Sequence, residues 1–334
     1  MKNITSVKFI FVLLAILLVN FNLKAQDETE EKKEDVYKFT IEKEVPVTEV
    51  KNQYRSGTCW SFSGLSFIEA ELIRQGKGEH NLSKMWIVRY TYLEKAIKYV
   101  RMHGSLNFSG GGAFHDVFNM IDKYGIVPEE AYKGLEYGEE KHVHGELDNI
   151  LKAYVDAVKE NKNKKLSIAW ISGYEGILDA YLGKTPEKFD YNGKTFTPKE
   201  FAQNLEIKSE NYLNLTSYTH HPFYKPFIME IPDNWAWGQA YNLPIDELMK
   251  IIDNALNNGF TVCWGADVSE KGVSWTNGIA IIPEEERHNL DGLERSRWES
   301  LSAKEKDKLL YGFDEIVAEK ENTQEMSQEA FDNY

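Results

Sequence analysis

Cys59 and Gln53 are the residues of this chain best suited to do chemistry. They lie in Asn52-Gln53-Tyr54-Arg55-Ser56-Gly57-Thr58-Cys59-Trp60-Ser61-Phe62-Ser63. A Gly and a Thr precede the cysteine and an apolar, small-residue run follows it, the pattern of a nucleophile on the first turn of a buried helix. The partial positive charge at a helix N-terminus favours a thiolate over a thiol, and the thiolate is the reactive species. Gln53, six residues upstream, sits where an amide N–H can point at the oxygen of a tetrahedral intermediate. A buried, inert core thiol is the alternative for a free cysteine.

Two further stretches narrow the reading. Gly110-Gly111-Gly112 leads into Ala113-Phe114-His115-Asp116 and on to Tyr124-Gly125-Ile126. Glycines on the wall of a cleft let a substrate backbone approach and pair with the enzyme backbone; a flexible turn before a helix is the bland alternative. Leu178 to Phe189 and Phe196 to Phe201 form a third distinctive stretch.

Together these residues resemble the papain superfamily of cysteine peptidases. The match rests on the Gln53-to-Cys59 spacing, the Cys59-Trp60 pair, and the order of cysteine helix, glycine pair and Tyr-Gly-Ile. The superfamily often has a further Cys three residues before the nucleophile. Ser56 stands there, which points to the bleomycin hydrolase and aminopeptidase C branch. The 178–201 stretch is similar to an insertion of that branch. The resemblance runs from about Val45 to Tyr334 and implies an α+β, two-lobed papain-like fold. One lobe would be helical and carry Cys59; the other would be a β-barrel carrying a His base and an orienting Asn. It implies peptide-bond hydrolysis through a Cys59 acyl-enzyme, with Gln53 and the Cys59 backbone N–H at the oxyanion. Gly111 and Gly112 would hold the substrate backbone. Removal of N-terminal residues and a homo-hexamer are inherited expectations, and no cofactor or metal is implied.

The branch places its catalytic His and an Asn-Ser-Trp-like motif late in the chain. No Asn-Ser-Trp occurs here, and Met326 to Tyr334 is similar to the segment just before the catalytic His. The expectation is an N-terminal portion with an incomplete β-barrel lobe, weakly active or inactive alone. Of the eight His residues, His221 and His288 are the substitutes to inspect. A non-catalytic secreted peptide-binding protein is the alternative of a different class, and a Cys59-dependent acyl transferase is a third.

At the N-terminus, Lys2 and Lys8 flank a short polar start. An apolar run from Phe9 to Val19 and then Leu23-Lys24-Ala25 follow. This is a signal peptide pattern with cleavage after Ala25, and the run is short for a membrane span; an uncleaved anchor is the rival. The organisation expected is a signal at 1–25, an acidic and charged spacer at 26–44, and a peptidase domain at 45–334 with an insertion at 132–243. The protein would be secreted or periplasmic, without stable membrane insertion once the signal is removed.

With 39 basic and 53 acidic residues the formal charge is −14, and losing Lys2, Lys8 and Lys24 takes it to −17. That argues against nucleic acid, whose phosphates need clustered Lys and Arg, and suits a soluble secreted protein acting on peptides. There are two cysteines. Cys263, in Phe260 to Trp264, reads as a core residue on a buried strand; a Cys59–Cys263 disulfide is the rival, since export permits oxidation.

The elements that must position the site follow from periodicity. Helices are expected over Trp60 to Gln75, Leu82 to Val100 with Ser83 as cap, Phe114 to Tyr124, about Leu147 to Val158, and Ser172 to Leu182. Asn192-Gly193 reads as a hairpin turn. Residues 204–243 read as loops and short strands. Pro244 opens a helix to Asn258, and strands follow at Phe260 to Trp264 and Ile279 to Ile282. The tail from Asp291 is charged and mostly helical.

Overall fold

The computed structural model describes residues 40–268, 273–274 and 279–280. The expected signal and most of the expected spacer, His288 and the tail from Asp291 lie outside the described residues.

Five helices form the core: α1 Cys59–Arg74, α2 Lys84–Arg101, α3 Phe114–Tyr124, α4 Gly145–Lys159 and α5 Ala169–Leu182. Their caps follow from side-chain chemistry. Ser83 accepts from the Trp86 N–H at 3.0 Å at the start of α2, satisfying one of the free donors of the first turn. Helix α3 ends at Gly125, whose φ of 75° is one that L side chains rarely adopt. Helix α5 begins three residues before the expected Ser172, at Ala169.

α1 is central. It buries Trp60, Leu65, Ile68 and Leu72 against α2 and α3, with Met85, Trp86, Val88, Val117 and Ile121 in the same cluster. Apolar burial of this kind contributes roughly 25 cal/mol per Å² removed from water. The α4 residues Leu147, Leu151 and Val155 recur at the expected helical spacing and close the α2–α5 side.

Smaller elements follow. β1 (Phe189–Tyr191) and β2 (Lys194–Phe196) form the expected hairpin. Asn192 and Gly193 have φ of 49° and 74°, as a type I′ turn requires. The short helix α6, Pro198–Asn204, is capped by Thr197, which accepts from Glu200 N–H while Glu200 accepts from Thr197 N–H. The region from residue 204 then resolves into a 3-10 turn at Ser209–Asn211 and three strands: β3 (Leu215–Thr216), β4 (Pro226–Ile228) and β5 (Gln239–Asn242). Their order is β3-β5-β4, parallel then antiparallel. Helix α7, Ile245–Asn257, follows Pro244. β6 (Val273–Ser274) and β7 (Ile279–Ala280) pair antiparallel.

One expectation fails. Phe260 to Trp264 is not a buried strand: it is irregular, and Phe260, Val262 and Trp264 are exposed. The Phe260 ring packs instead under the Arg74 guanidinium at 4.0 Å. Cys263 is half-buried on this segment, and both cysteines are free thiols.

Candidate active site

Cys59 is the first residue of α1, and its side chain is exposed. The backbone leading to it is a tight, irregular loop. Tyr54 and Gly57 have φ of 52° and 67°. Asn52 Oδ1 accepts from the Tyr54 N–H at 2.8 Å, an Asx turn. Thr58 does not cap α1 with its side chain; its hydroxyl pairs with that of Ser56, and both residues are buried. The Thr58 carbonyl accepts from the Ser61 and Phe62 N–H groups at 3.0 and 3.3 Å. Across the loop, Arg55 exchanges backbone hydrogen bonds with His142 and His144 at 2.9 and 3.1 Å. Gln53 is half-buried, and its Oε1 is buried with no hydrogen-bond partner among the described residues.

The glycine run lies against this loop. Trp60, the residue after Cys59, donates Nε1–H to the Gly110 carbonyl at 3.0 Å. A Cβ at Gly110 would lie 3.2 Å from the Ser56 carbonyl oxygen, and one at Gly112 would lie 2.7 Å from the Trp60 ring. A Cβ at Gly111 would strike the Asp233 carboxylate at 2.2 Å. Close approach therefore demands glycine at 112, where the neighbour is a packed indole; at 111 the neighbour is an exposed side chain. Structure thus brings together the segment that carries Gln53 and Cys59 and the segment that carries Gly111 and Gly112.

Several residues that hold this arrangement went unnoticed in the sequence. Lys95 reaches up from α2, almost fully buried, and donates Nζ–H to the Ser109 carbonyl at 2.8 Å and to that of Gly111. Burial pulls its ammonium down to about 8, with Asp116 and Asp233 acting in the opposite sense. Asp116, buried at the start of α3, accepts from Ala113 N–H and from Trp235 Nε1–H, both at 2.9 Å. Burial raises its carboxyl. Trp235 belongs to a loop that Asn234 ties together through Met229 O, Gly238 O and Gly238 N–H. That loop delivers Asp233 to Gly111, with Asn107 Nδ2 donating to Asp233 Oδ1 at 3.2 Å. A cationic residue in register with Tyr92, Ala96 and Tyr99 on the buried face of α2 was the readable signal for Lys95. Asp233 and Trp235 carried none, because their partners are more than a hundred residues away in sequence.

Among the described residues no histidine is hydrogen-bonded to Cys59. His80 bonds to Tyr191 and the Lys77 carbonyl. His115 lies 3.7 Å from Asp116. His142 packs edge-on against Phe62, with ring centroids 6.3 Å apart. His144 is buried beside Tyr92, and burial, with His142 nearby, pulls its imidazole down to about 4. His221, one of the two substitutes expected above, bonds to Glu230 at 3.1 Å instead.

With this geometry in hand, comparison with known proteins is decisive at the level of family. The family model described as "Peptidase C1-like family" matches residues 17–284. The chain belongs to that family. Aminopeptidase C of Lactobacillus delbrueckii subsp. lactis is 25% identical over 291 residues, covering 75% of this chain and 64% of that protein. Bleomycin hydrolase of Gallus gallus is 22% identical over 267 residues, covering 66% of this chain and 59% of its own. The chain thus spans somewhat under two thirds of the length of these curated relatives. Among solved structures, PepW from Lactobacillus rhamnosis HN001 superposes with a TM-score of 0.53 at 21% identity, over 67% of this chain and 60% of that one. Family and structural neighbour agree on a papain-like peptidase fold.

Proposed function

We propose that the protein is a cysteine-type aminopeptidase of the kind its relatives' names describe, acting on peptides through Cys59. The observation that carries this is the placement of an exposed thiol on the first turn of α1, with the Gly110–Gly112 segment tied to the next residue by the Trp60 indole. In the reaction, the Cys59 thiolate attacks the scissile carbonyl carbon, and the negative charge moves to the carbonyl oxygen. That oxygen accepts from the Cys59 backbone N–H and from the Gln53 side-chain amide. Collapse expels the amine with a proton and leaves a thioester on Sγ, and water then releases the acid and regenerates the thiol. Gly111 and Gly112 pair with the substrate backbone.

By the resemblance the proton acceptor is a His of the β-barrel lobe, and among the described residues no histidine is hydrogen-bonded to Cys59. We therefore expect this 334-residue polypeptide to turn over weakly by itself; losing one member of a nucleophile–base unit costs several orders of magnitude. The β-barrel lobe with its His and Asn, the division into signal, spacer and peptidase domain, secretion or export to a periplasm, and a hexamer belong to the same proposal. Its support is the resemblance and the apolar run at 9–19. Among the described residues no helix is long and apolar enough to cross a membrane.

The test is hydrolysis of fluorogenic aminoacyl amides by the chain and by Cys59→Ala. Slow turnover that vanishes in Cys59→Ala is expected, and turnover indifferent to Cys59→Ala would sink the assignment. The second reading, a peptide-binding protein without catalysis, predicts peptide affinity with no turnover and no effect of Cys59→Ala on binding.

A further inference from the structure

Away from the cysteine, three ligand-type side chains converge on the three-stranded sheet. His221 Nε2 lies 3.1 Å and His220 Nε2 4.0 Å from the same Glu230 carboxylate oxygen. One donor atom from each of the three lies within 4.8 Å of the others. Around a tetrahedral zinc ion, neighbouring ligand atoms are separated by about 3.4 Å, given metal–ligand lengths of about 2.0–2.2 Å. The observed separations straddle that value, so closing on an ion needs only small side-chain rotations.

The cluster is built on a fixed frame. The buried Asn242 of β5 accepts from the Tyr218 N–H at 2.8 Å and donates to the Tyr218 and His221 carbonyls at 2.8 and 2.9 Å. This pins the backbone of the histidine pair from beneath. The His221 ring stacks on Phe227 of β4 at 4.0 Å, which sets its plane. The His220 ring lies 4.5 Å from it and edge-on to Tyr218 at 5.2 Å. Glu230 follows two residues after β4.

We infer that His220, His221 and Glu230 form a binding site for a zinc-type divalent ion, clipping the 217–225 loop that leads into β4 to the segment that leaves it. Two imidazoles and one carboxylate are a donor set suited to zinc, and orientation of the ligands by supporting groups is what a preorganised site needs. His220 and Glu230 are solvent-facing, which leaves a fourth position for water. The proposed peptidase chemistry makes no use of these residues, so the two stand or fall separately.

The experiment is calorimetric titration of the 334-residue chain with Zn²⁺ alone. Both thiols are replaced by Ser (Cys59→Ser, Cys263→Ser) so that sulfur cannot bind the metal. One ion per chain is expected. Binding should weaken at least about tenfold in each of His220→Ala, His221→Ala and Glu230→Gln. His220→Ala is the decisive variant, because that side chain is exposed and its removal leaves the core intact. Zinc should also raise the melting temperature of the parent, by mass action on the folded state, but not that of His220→Ala. No binding by the parent, or binding of undiminished affinity in His220→Ala, overturns the inference.

Discussion

The indole of Trp60 donates to the carbonyl of Gly110 at 3.0 Å, and this bond joins the helix that carries Cys59 to the glycine wall opposite. Gly110 is buried, so its carbonyl has no recourse to water if the donor is lost. The same ring forms the floor under Gly112. One aromatic side chain thus fixes the spacing between Cys59 and the glycine segment, and Lys95 holds the far side of that segment through Ser109 and Gly111.

The two glycines should respond differently to alanine. At Gly112 the new methyl would meet the Trp60 ring at 2.7 Å, and a packed indole gives way only by moving the α1 start. Gly112→Ala is expected to cost about 1–3 kcal/mol, as overpacking does. At Gly111 the clash is with the exposed Asp233 side chain, which can swing aside, so Gly111→Ala should leave stability within about 0.5 kcal/mol. Trp60→Phe keeps the floor but orphans the Gly110 carbonyl, at about 1–3 kcal/mol. Urea unfolding of the three variants checks the order.

Much of this frame was legible because it is local. Ser83 as a cap and Asn192-Gly193 as a turn are signals written within a few residues. The period of Leu147, Leu151 and Val155 marks a helix whatever it packs against. Phe260 to Trp264 misled because a short apolar run with a β-branched residue is ambiguous by periodicity alone; its aromatic end found Arg74 rather than a sheet. The site was half legible. Gln53 and Cys59 announce themselves through spacing. Lys95, Asp116, Trp235 and Asp233 act across long sequence separations, which no local pattern encodes.

The two thiols should separate by reactivity. Cys59 is exposed at the start of α1, whereas burial pushes the Cys263 thiol up to about 12. Alkylation needs a thiolate and access. Brief treatment of the folded chain with iodoacetamide near pH 7.5, followed by peptide mass spectrometry, should show Cys59 modified well ahead of Cys263. Both should react alike in urea. Equal labelling in the folded state would contradict the placement of Cys263.

A buried ion pair supports α1, the helix that Cys59 begins, from behind. Lys84 Nζ lies 2.9 Å from Glu69 Oε1, with side chains 3% and 0% exposed. Glu69 also accepts from Leu82 N–H at 2.8 Å and Thr48 Oγ1 at 2.7 Å. Removing the carboxylate takes the Glu69 charge from the buried Lys84 ammonium, which keeps Asn81 Oδ1 at 2.8 Å, and orphans the buried Leu82 N–H. Glu69→Ala is therefore expected to cost about 3–5 kcal/mol. The doubly apolar variant Glu69→Leu with Lys84→Met should recover a substantial part of that loss. A double variant no better than Glu69→Ala would mean that the Leu82 and Thr48 bonds, not the ion pair, set the cost.

Acid should find His144 first. Burial, with His142 close by, holds its imidazole at about 4 against 6.5 when exposed. Between those values the unfolded chain binds the proton and the folded chain resists it, so the His144 contribution to stability falls as pH drops from about 6.5 toward 4. Asp148 opposes this: burial raises its carboxyl to about 6 from 3.8, so the fold takes up its proton earlier and gains stability as pH drops through that window. Comparing the parent with His144→Gln isolates the histidine, because Asp148, Tyr92 and His142 are present in both. The stability of the parent relative to that variant should fall by about 2–3 kcal/mol between pH 7 and pH 4.5. Urea unfolding at pH 7, 5.5 and 4.5 measures it. A flat difference would mean that the buried imidazole takes up its proton as readily as an exposed one.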